Sequence, residues 1–223
     1  METDGTDPNS CSPVQLAAVM VDPIKLEIIN GSEFNIFLKP EKLVKDKAFA
    51  YEGSDILSWH GKVLGISAEQ VLKNWLEYPD PKQSWKMFSE YLAKYHLRTS
   101  KQSMFTAPIA AGYNIHRFDL KIVNRLSKKY KTVNKEGESN LFFPRDTLDL
   151  MNLLFYWFEG SSEVKNLTLD SFRSYFGISS ENAHDALKDV KDTASIIIRF
   201  LRLHRNLKHK IQFKNSFNEK VCI

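Results

Sequence analysis

The run Pro108-Ile-Ala-Ala-Gly112 constrains the fold more than any other stretch of this chain. It is short, apolar and free of alternation, so it reads as a strand covered on both faces rather than one half open to water. A strand buried in that way needs helices packed on its sheet, and the flanking sequence supplies them. A helix is expected over Gln83 to Leu97, with Met87, Tyr91 and Tyr95 on one stripe, and another from Phe118 onward, with Ile122, Val123 and Leu126 inward.

Earlier in the chain, Val14 to Val21, Leu26 to Asn30 and Phe34 to Leu38 are β-branched and aliphatic runs separated by Asp22-Pro23 and Asn30-Gly31, the chemistry of a small antiparallel meander. Ser67 and Gln70 form a capping-box pattern that opens a helix through Tyr78, stopped by Pro79. The stretch from Ser127 to Asn140 is polar, and its later part reads as a loop. Leu167 to Phe176 is helical up to Gly177, and Ala183 to Leu207 is the longest helix, with Asn182 as its N-cap. The expected architecture is α/β: a mixed central sheet flanked by helices in one domain over residues 1–207, followed by a basic tail over 208–223.

Composition narrows the function classes only slightly. Lysine and arginine exceed aspartate and glutamate for a net charge of +4, which suits a negatively charged partner without requiring one. Two distant cysteines, Cys11 and Cys222, are incidental thiols rather than a disulfide framework. No stretch approaches the ~18 consecutive apolar residues of a membrane span, and the first residues lack a leader pattern. The expectation is a soluble, intracellular, cytoplasmic protein with no membrane partner.

Three segments carry chemistry. In the last helix, spacing places Ala186, Asp189, Thr193, Ile197 and Phe200 on one stripe, and Asp185, Lys188, Asp192, Ser195 and Arg199 on an opposite, charged side. Asp189 is then the inward carboxylate, satisfied either by a metal ion or by a salt bridge. His184 stands five positions earlier, about 140° around an ideal helix, so it meets Asp189 only if it precedes the first full turn; a histidine there is either structural or catalytic. The second segment is Gly112-Tyr-Asn-Ile-His-Arg-Phe-Asp119, where a strand ends and a helix begins. Asp119 suits a ligand crevice at the carboxyl end of a sheet, or equally a helix N-cap. The third, Glu2-Thr3-Asp4-Gly5-Thr6, is on composition a frayed polar start.

Together and in this order, the three segments resemble the motifs of the DEDDh 3′→5′ exonucleases, the DnaQ-like and ribonuclease T-like superfamily with a ribonuclease H-like fold, and within it the nuclease domain of bacterial exonuclease I. Glu2 to Thr6 is similar to Asp-x-Glu-Thr-x-Gly-Thr, Gly112 to Asp119 to Gly-Tyr-Asn-x-x-Arg-Phe-Asp, and Asn182 to Asp189 to Asn-Ala-His-Asp-Ala-x-x-Asp. Gly65 to Ser67 and Asp146 to Leu150 also resemble landmarks of the family. One departure stands out. The family's first aspartate lies two positions before the glutamate, where this sequence has only Met1, so that aspartate and most of the first strand are expected to be missing. Asp4 is a poor substitute, because the family's order is aspartate and then glutamate.

The resemblance implies two Mg²⁺ ions, with Mn²⁺ able to substitute, held by Glu2, Asp119 and Asp189. It implies His184 as general base, and Thr3, Asn114 and Phe118 against the substrate. That substrate is expected to be single-stranded DNA, or alternatively RNA, cut to nucleoside 5′-monophosphates in the setting of DNA repair. A non-catalytic nucleic-acid-binding module is the other reading. Trp59, Tyr113 and His116 are further candidates for stacking on bases, Phe118 being equally suited to the core. Arg117, Lys121 and the lysines between Ser127 and Lys135 are candidates for phosphate contact or for a solvated face.

Overall fold

A computed structural model describes residues 1–44, 48–97, 103–181 and 183–208. Asn182, Cys222 and nearly all of the expected basic tail fall outside these. Strand β1 (Glu2–Thr3) pairs antiparallel with β2 (Pro13–Ala18), and the other edge of β2 pairs with β5 (Phe34–Phe37). The first strand is thus short rather than absent. It matches Glu2 to Gln15 and Thr3 to Pro13, and among the described residues no strand pairs with the Leu16–Ala18 half of β2 on that edge.

The run Val14 to Val21 is not one strand. After Ala18 the backbone turns, because the Met20 amide donates to the Ser32 hydroxyl at 3.0 Å and the Met20 carbonyl accepts from the Ile29 amide at 2.8 Å. Val21–Asp22 (β3) and Glu27–Ile28 (β4) then form a separate hairpin, its turn held by Asp22, which accepts from the Ile24 and Lys25 amides.

Helix α1 (Asp55–Leu64), which the periodicity did not reveal, is capped by Ser54 and ends at Gly65 with φ 69°. Ser67 caps α2 (Ala68–Glu77) by accepting from the Gln70 amide at 3.1 Å, but the Gln70 side chain donates to Asn74 Oδ1 at 2.8 Å, so only half of the expected capping box is made; the helix buries Val71 and Trp75. Helix α3 (Pro81–Ala93) buries Trp85, Phe88, Tyr91 and Leu92, whereas Met87 is 45% exposed. The expected stripe of Met87, Tyr91 and Tyr95 was therefore aimed about one residue off the buried face.

The run at 108–112 contributes β6 (Ala110–Gly112), parallel to β7 (Thr147–Asp149), but it is not covered on both faces as expected: Ala110 is buried, whereas Ala111 is exposed and Ile109 is 56% exposed. Between them lies α4 (Asp119–Lys129), with Ile122, Val123 and Leu126 inward as expected. Helices α5 (Leu150–Phe158), α6 (Leu169–Phe176) and α7 (Ala186–Lys208) complete the chain, and Gly177 closes α6 at φ 66°. Antiparallel and parallel pairing both occur, as a mixed sheet requires, although hydrogen bonding divides the strands into three pieces. One core cluster, around Leu16, Trp85, Leu92, Ile122 and Leu126, ties the antiparallel sheet to α3 and α4. Another, around Leu150, Leu154, Phe172 and Ile196, ties α5 and α6 to α7. Each such side chain contributes roughly 1.5–3 kcal/mol on burial. Among the described residues, no helix is long and apolar enough to cross a membrane.

Candidate active site

The turn after β6 brings Asp119 to its place. Gly112 has no room for a side chain, since a Cβ there would lie 2.9 Å from Ile115 Cδ1. Asn114 adopts φ 53°, a left-handed conformation that asparagine tolerates better than most residues. The buried carboxylate of Asp149, at the end of β7, accepts from the Asn114 amide at 2.9 Å and the His116 amide at 3.2 Å, and caps α5 through the Met151 amide at 3.0 Å. One side chain thus shapes the loop and starts a helix. Asp119 is the first residue of α4, not its N-cap, and its Oδ1 lies 3.2 Å from the α-ammonium of Met1. The N-cap reading of Asp119 is excluded because Phe118 holds that position.

Helix α7 delivers the second carboxylate. Asp185 caps it by accepting from the Lys188 amide at 2.9 Å, so the helix opens at Ala186 and His184 precedes the first turn, as convergence required. His184 has φ 70°, and its amide donates to Asp189 Oδ1 at 3.3 Å. Its ring meets the edge of Trp59, 5.5 Å between centroids.

Glu2 completes the group from β1. Burial raises its pKa above the ordinary carboxylate value, and Asp189 and Asp119 push in the same direction, against the Met1 ammonium and His184. The Met1 ammonium likewise feels Asp119, Glu2 and Asp189. Burial is the largest influence and works against its charge, yet the carboxylates outweigh it and its pKa is raised. Three acidic groups from β1, α4 and α7 therefore all act on one positive charge, with Asp119 in direct contact. Their all-oxygen chemistry fits a hard divalent ion. Among the described residues, however, no three metal-competent side chains are gathered tightly enough to clasp one.

The other candidates are placed as follows. The Thr3 hydroxyl donates to the Gly5 carbonyl at 2.7 Å, and the Thr3 carbonyl lies 2.9 Å from His60 Nε2, so Thr3 is engaged locally. Among the described residues, the buried side-chain oxygen of Asn114 has no hydrogen-bond partner. Phe118 packs partly buried against the first core cluster, Tyr113 donates to the Leu167 carbonyl, and His116 is exposed. Trp59 is 43% exposed beside His184. Arg117 and Lys121 are exposed.

The charged side expected of α7 needs correction. Asp192 is buried, held by Arg173 Nε at 2.8 Å and Lys188 Nζ at 2.5 Å. Asp185 accepts from Gln15 Nε2 at 2.9 Å besides capping the helix. Ile196, Ile197 and Ile198 are all buried, so neighbours enclose this helix on more than one face. Periodicity says which residues share a face, not how many faces are covered. Arg173 itself, 1% exposed and paired with Asp170, Asp189 and Asp192, was not singled out from the sequence. Its only sequence signal is the i,i+3 spacing from Asp170.

No protein-family profile matches the chain. It is 26% identical over 236 residues to exodeoxyribonuclease I of Escherichia coli (strain K12), across 94% of this chain and 42% of that protein. Exonuclease I superposes with a TM-score of 0.60 at 18% identity, covering 87% of this chain and 38% of that one. E. coli exonuclease I in complex with a dT13 oligonucleotide superposes with 0.58 at 19%, covering 93% and 41%. The cell-death related nuclease CRN-4 superposes with 0.60 at 17%, covering 91% and 62%. The chain spans less than half the length of the exonuclease I chains it matches. The chain is similar in sequence to exodeoxyribonuclease I and shares the fold of these nucleases.

Proposed function

We propose that this relative of exodeoxyribonuclease I is a nuclease that removes nucleoside 5′-monophosphates from the 3′ end of single-stranded DNA with Mg²⁺ or Mn²⁺. The observation that carries this reading is that Glu2, Asp119 and Asp189, from three separated segments, all act on the Met1 ammonium, Asp119 at 3.2 Å, while His184 acts on Glu2. Structural carboxylates have no need of such an arrangement. Two divalent ions, when bound, would polarise the phosphate and stabilise the departing oxygen. Glu2, Asp119 and Asp189 would hold them by their oxygens, and His184 would take a proton from the attacking water. Trp59 and Asn114 would meet the terminal nucleotide, by its ring face and by its unpaired oxygen.

The test is nucleotide release from matched 3′- and 5′-labelled single-stranded DNA and RNA, with and without Mg²⁺. Mononucleotides from the 3′ end of DNA, lost in chelator, are expected. Cleavage that persists in chelator or starts at a 5′ end overturns the reading. A second reading, a nucleic-acid-binding module without catalysis, draws on the absence of three closely gathered ligands among the described residues. Oligonucleotide binding with no release at any Mg²⁺ concentration would establish it.

A further inference from the structure

The guanidinium of Arg173 spreads its donors over three carboxylates: Nε to Asp192 Oδ2 at 2.8 Å, Nη1 to Asp170 Oδ1 at 2.7 Å and Nη2 to Asp189 Oδ1 at 2.5 Å. These partners differ. The Asp170 side chain is 55% exposed and its pull is weakened by water, while Asp192 is shared with Lys188. Asp189 lies at the candidate active site, and the His184 amide adds a second donor to its Oδ1. Among the described residues no hydrogen bond reaches its other oxygen, Oδ2.

We infer that Arg173 is a positioning residue that presents Asp189 Oδ2 to the cation and keeps cation binding weak enough to be exchangeable. This rests on the reading of Asp189 as a metal ligand. A carboxylate pinned through one oxygen cannot rotate freely, so the other is offered in a fixed direction. The same guanidinium, 2.5 Å away and almost wholly buried, offsets part of the charge that a divalent ion would meet. Without Arg173, Asp189 and Asp192 lose their shared counter-charge, and a bound cation replaces part of it. Removing the arginine should therefore weaken the fold and tighten the metal, two effects that a purely structural residue would not couple.

Mn²⁺ binding to the full chain, read from the free-ion electron paramagnetic resonance signal without nucleic acid, separates the outcomes. Arg173→Met is expected to bind Mn²⁺ about 10-fold tighter, to melt lower in chelator, and to regain more melting temperature with Mn²⁺ than the unsubstituted chain does. Arg173→Lys, which keeps the offsetting charge but loses the fork that orients Asp189, should bind Mn²⁺ more weakly than the unsubstituted chain does. Asp170→Asn, at an exposed position that leaves the fold intact, releases Arg173 toward Asp189 and should weaken Mn²⁺ about 3-fold. That variant decides the matter if Arg173→Met does not fold. Unchanged Mn²⁺ affinity in Asp170→Asn, with binding abolished in Asp189→Asn, overturns the role of Arg173 while the metal site stands. Undiminished Mn²⁺ binding in Asp189→Asn overturns the metal-ligand reading, and this inference with it.

Discussion

Asp4 and Glu2 are two residues apart, yet they sit in opposite electrostatic surroundings. Asp4 is buried, and its oxygens accept from the Ser12 amide and the Tyr51 hydroxyl, each at 2.5 Å, with Lys42 Nζ 3.6 Å away. Every contact there compensates its charge. Glu2 is partly buried beside two other carboxylates, with the Met1 ammonium and His184 as the compensating charges that act on it. A carboxylate serving the fold is surrounded by donors, whereas Glu2 stands beside two other carboxylates whose like charge a cation would relieve. The contacts of Asp4 are with Ser12, Tyr51 and Lys42 and not with that group.

Substitutions can break this contrast. The largest effect is expected at the candidate site: Asp119→Ala and Asp189→Ala should lower nucleotide release by at least about 10³-fold. Asp119→Ala should melt within a few degrees of the unsubstituted chain, because it removes repulsion along with a ligand. Release that survives both substitutions would show that this like charge serves no chemistry.

His184→Ala should slow release by roughly 10²–10⁴-fold, the scale of a general base, while leaving oligonucleotide binding in place. Single-turnover rates against binding isotherms would separate the two, and an unchanged rate would leave His184 a structural partner of Trp59.

At the other pole, Asp4→Ala should cost about 2–4 kcal/mol of stability, because the Ser12 amide and the Tyr51 hydroxyl lose a buried acceptor. Denaturant unfolding measures this directly. A loss of activity larger than the loss of folded protein would mean that Asp4 belongs to the site after all.

The smallest effect concerns His60, which joins the two regions by standing beside Trp59 and against the Thr3 carbonyl. Its burial holds the imidazole pKa below the ordinary histidine value, outweighing the Thr3 carbonyl and Asp4, which raise it. The folded protein therefore resists a proton that the unfolded chain accepts near pH 6.5. Stability should fall as pH drops from 7.5 toward 5.5, by on the order of 1 kcal/mol from this group. Melting curves of His60→Gln should be flatter over that range, and an unchanged slope would remove His60 as the cause.

The sequence by itself determined the elements whose signals are local. The strand in the run at 108–112, the Ser67 cap, the glycine stop at Gly177 and the inward face of α4 depend on residues a few positions apart, and each appears in the structure, although the strand is open on one face and the capping box is only half made. The motif order also makes Glu2, Asp119, His184 and Asp189 the candidates for the site. Only the tertiary structure decided what surrounds them. The salt bridges from Arg173 to Asp189 and Asp192 span 16 and 19 residues, and the Tyr51 to Asp4 bond spans 47. Which carboxylate is compensated depends on donors brought from distant elements. Periodicity along one helix carries no information about those donors, which is why Asp192 read as solvent-facing and proved to be buried.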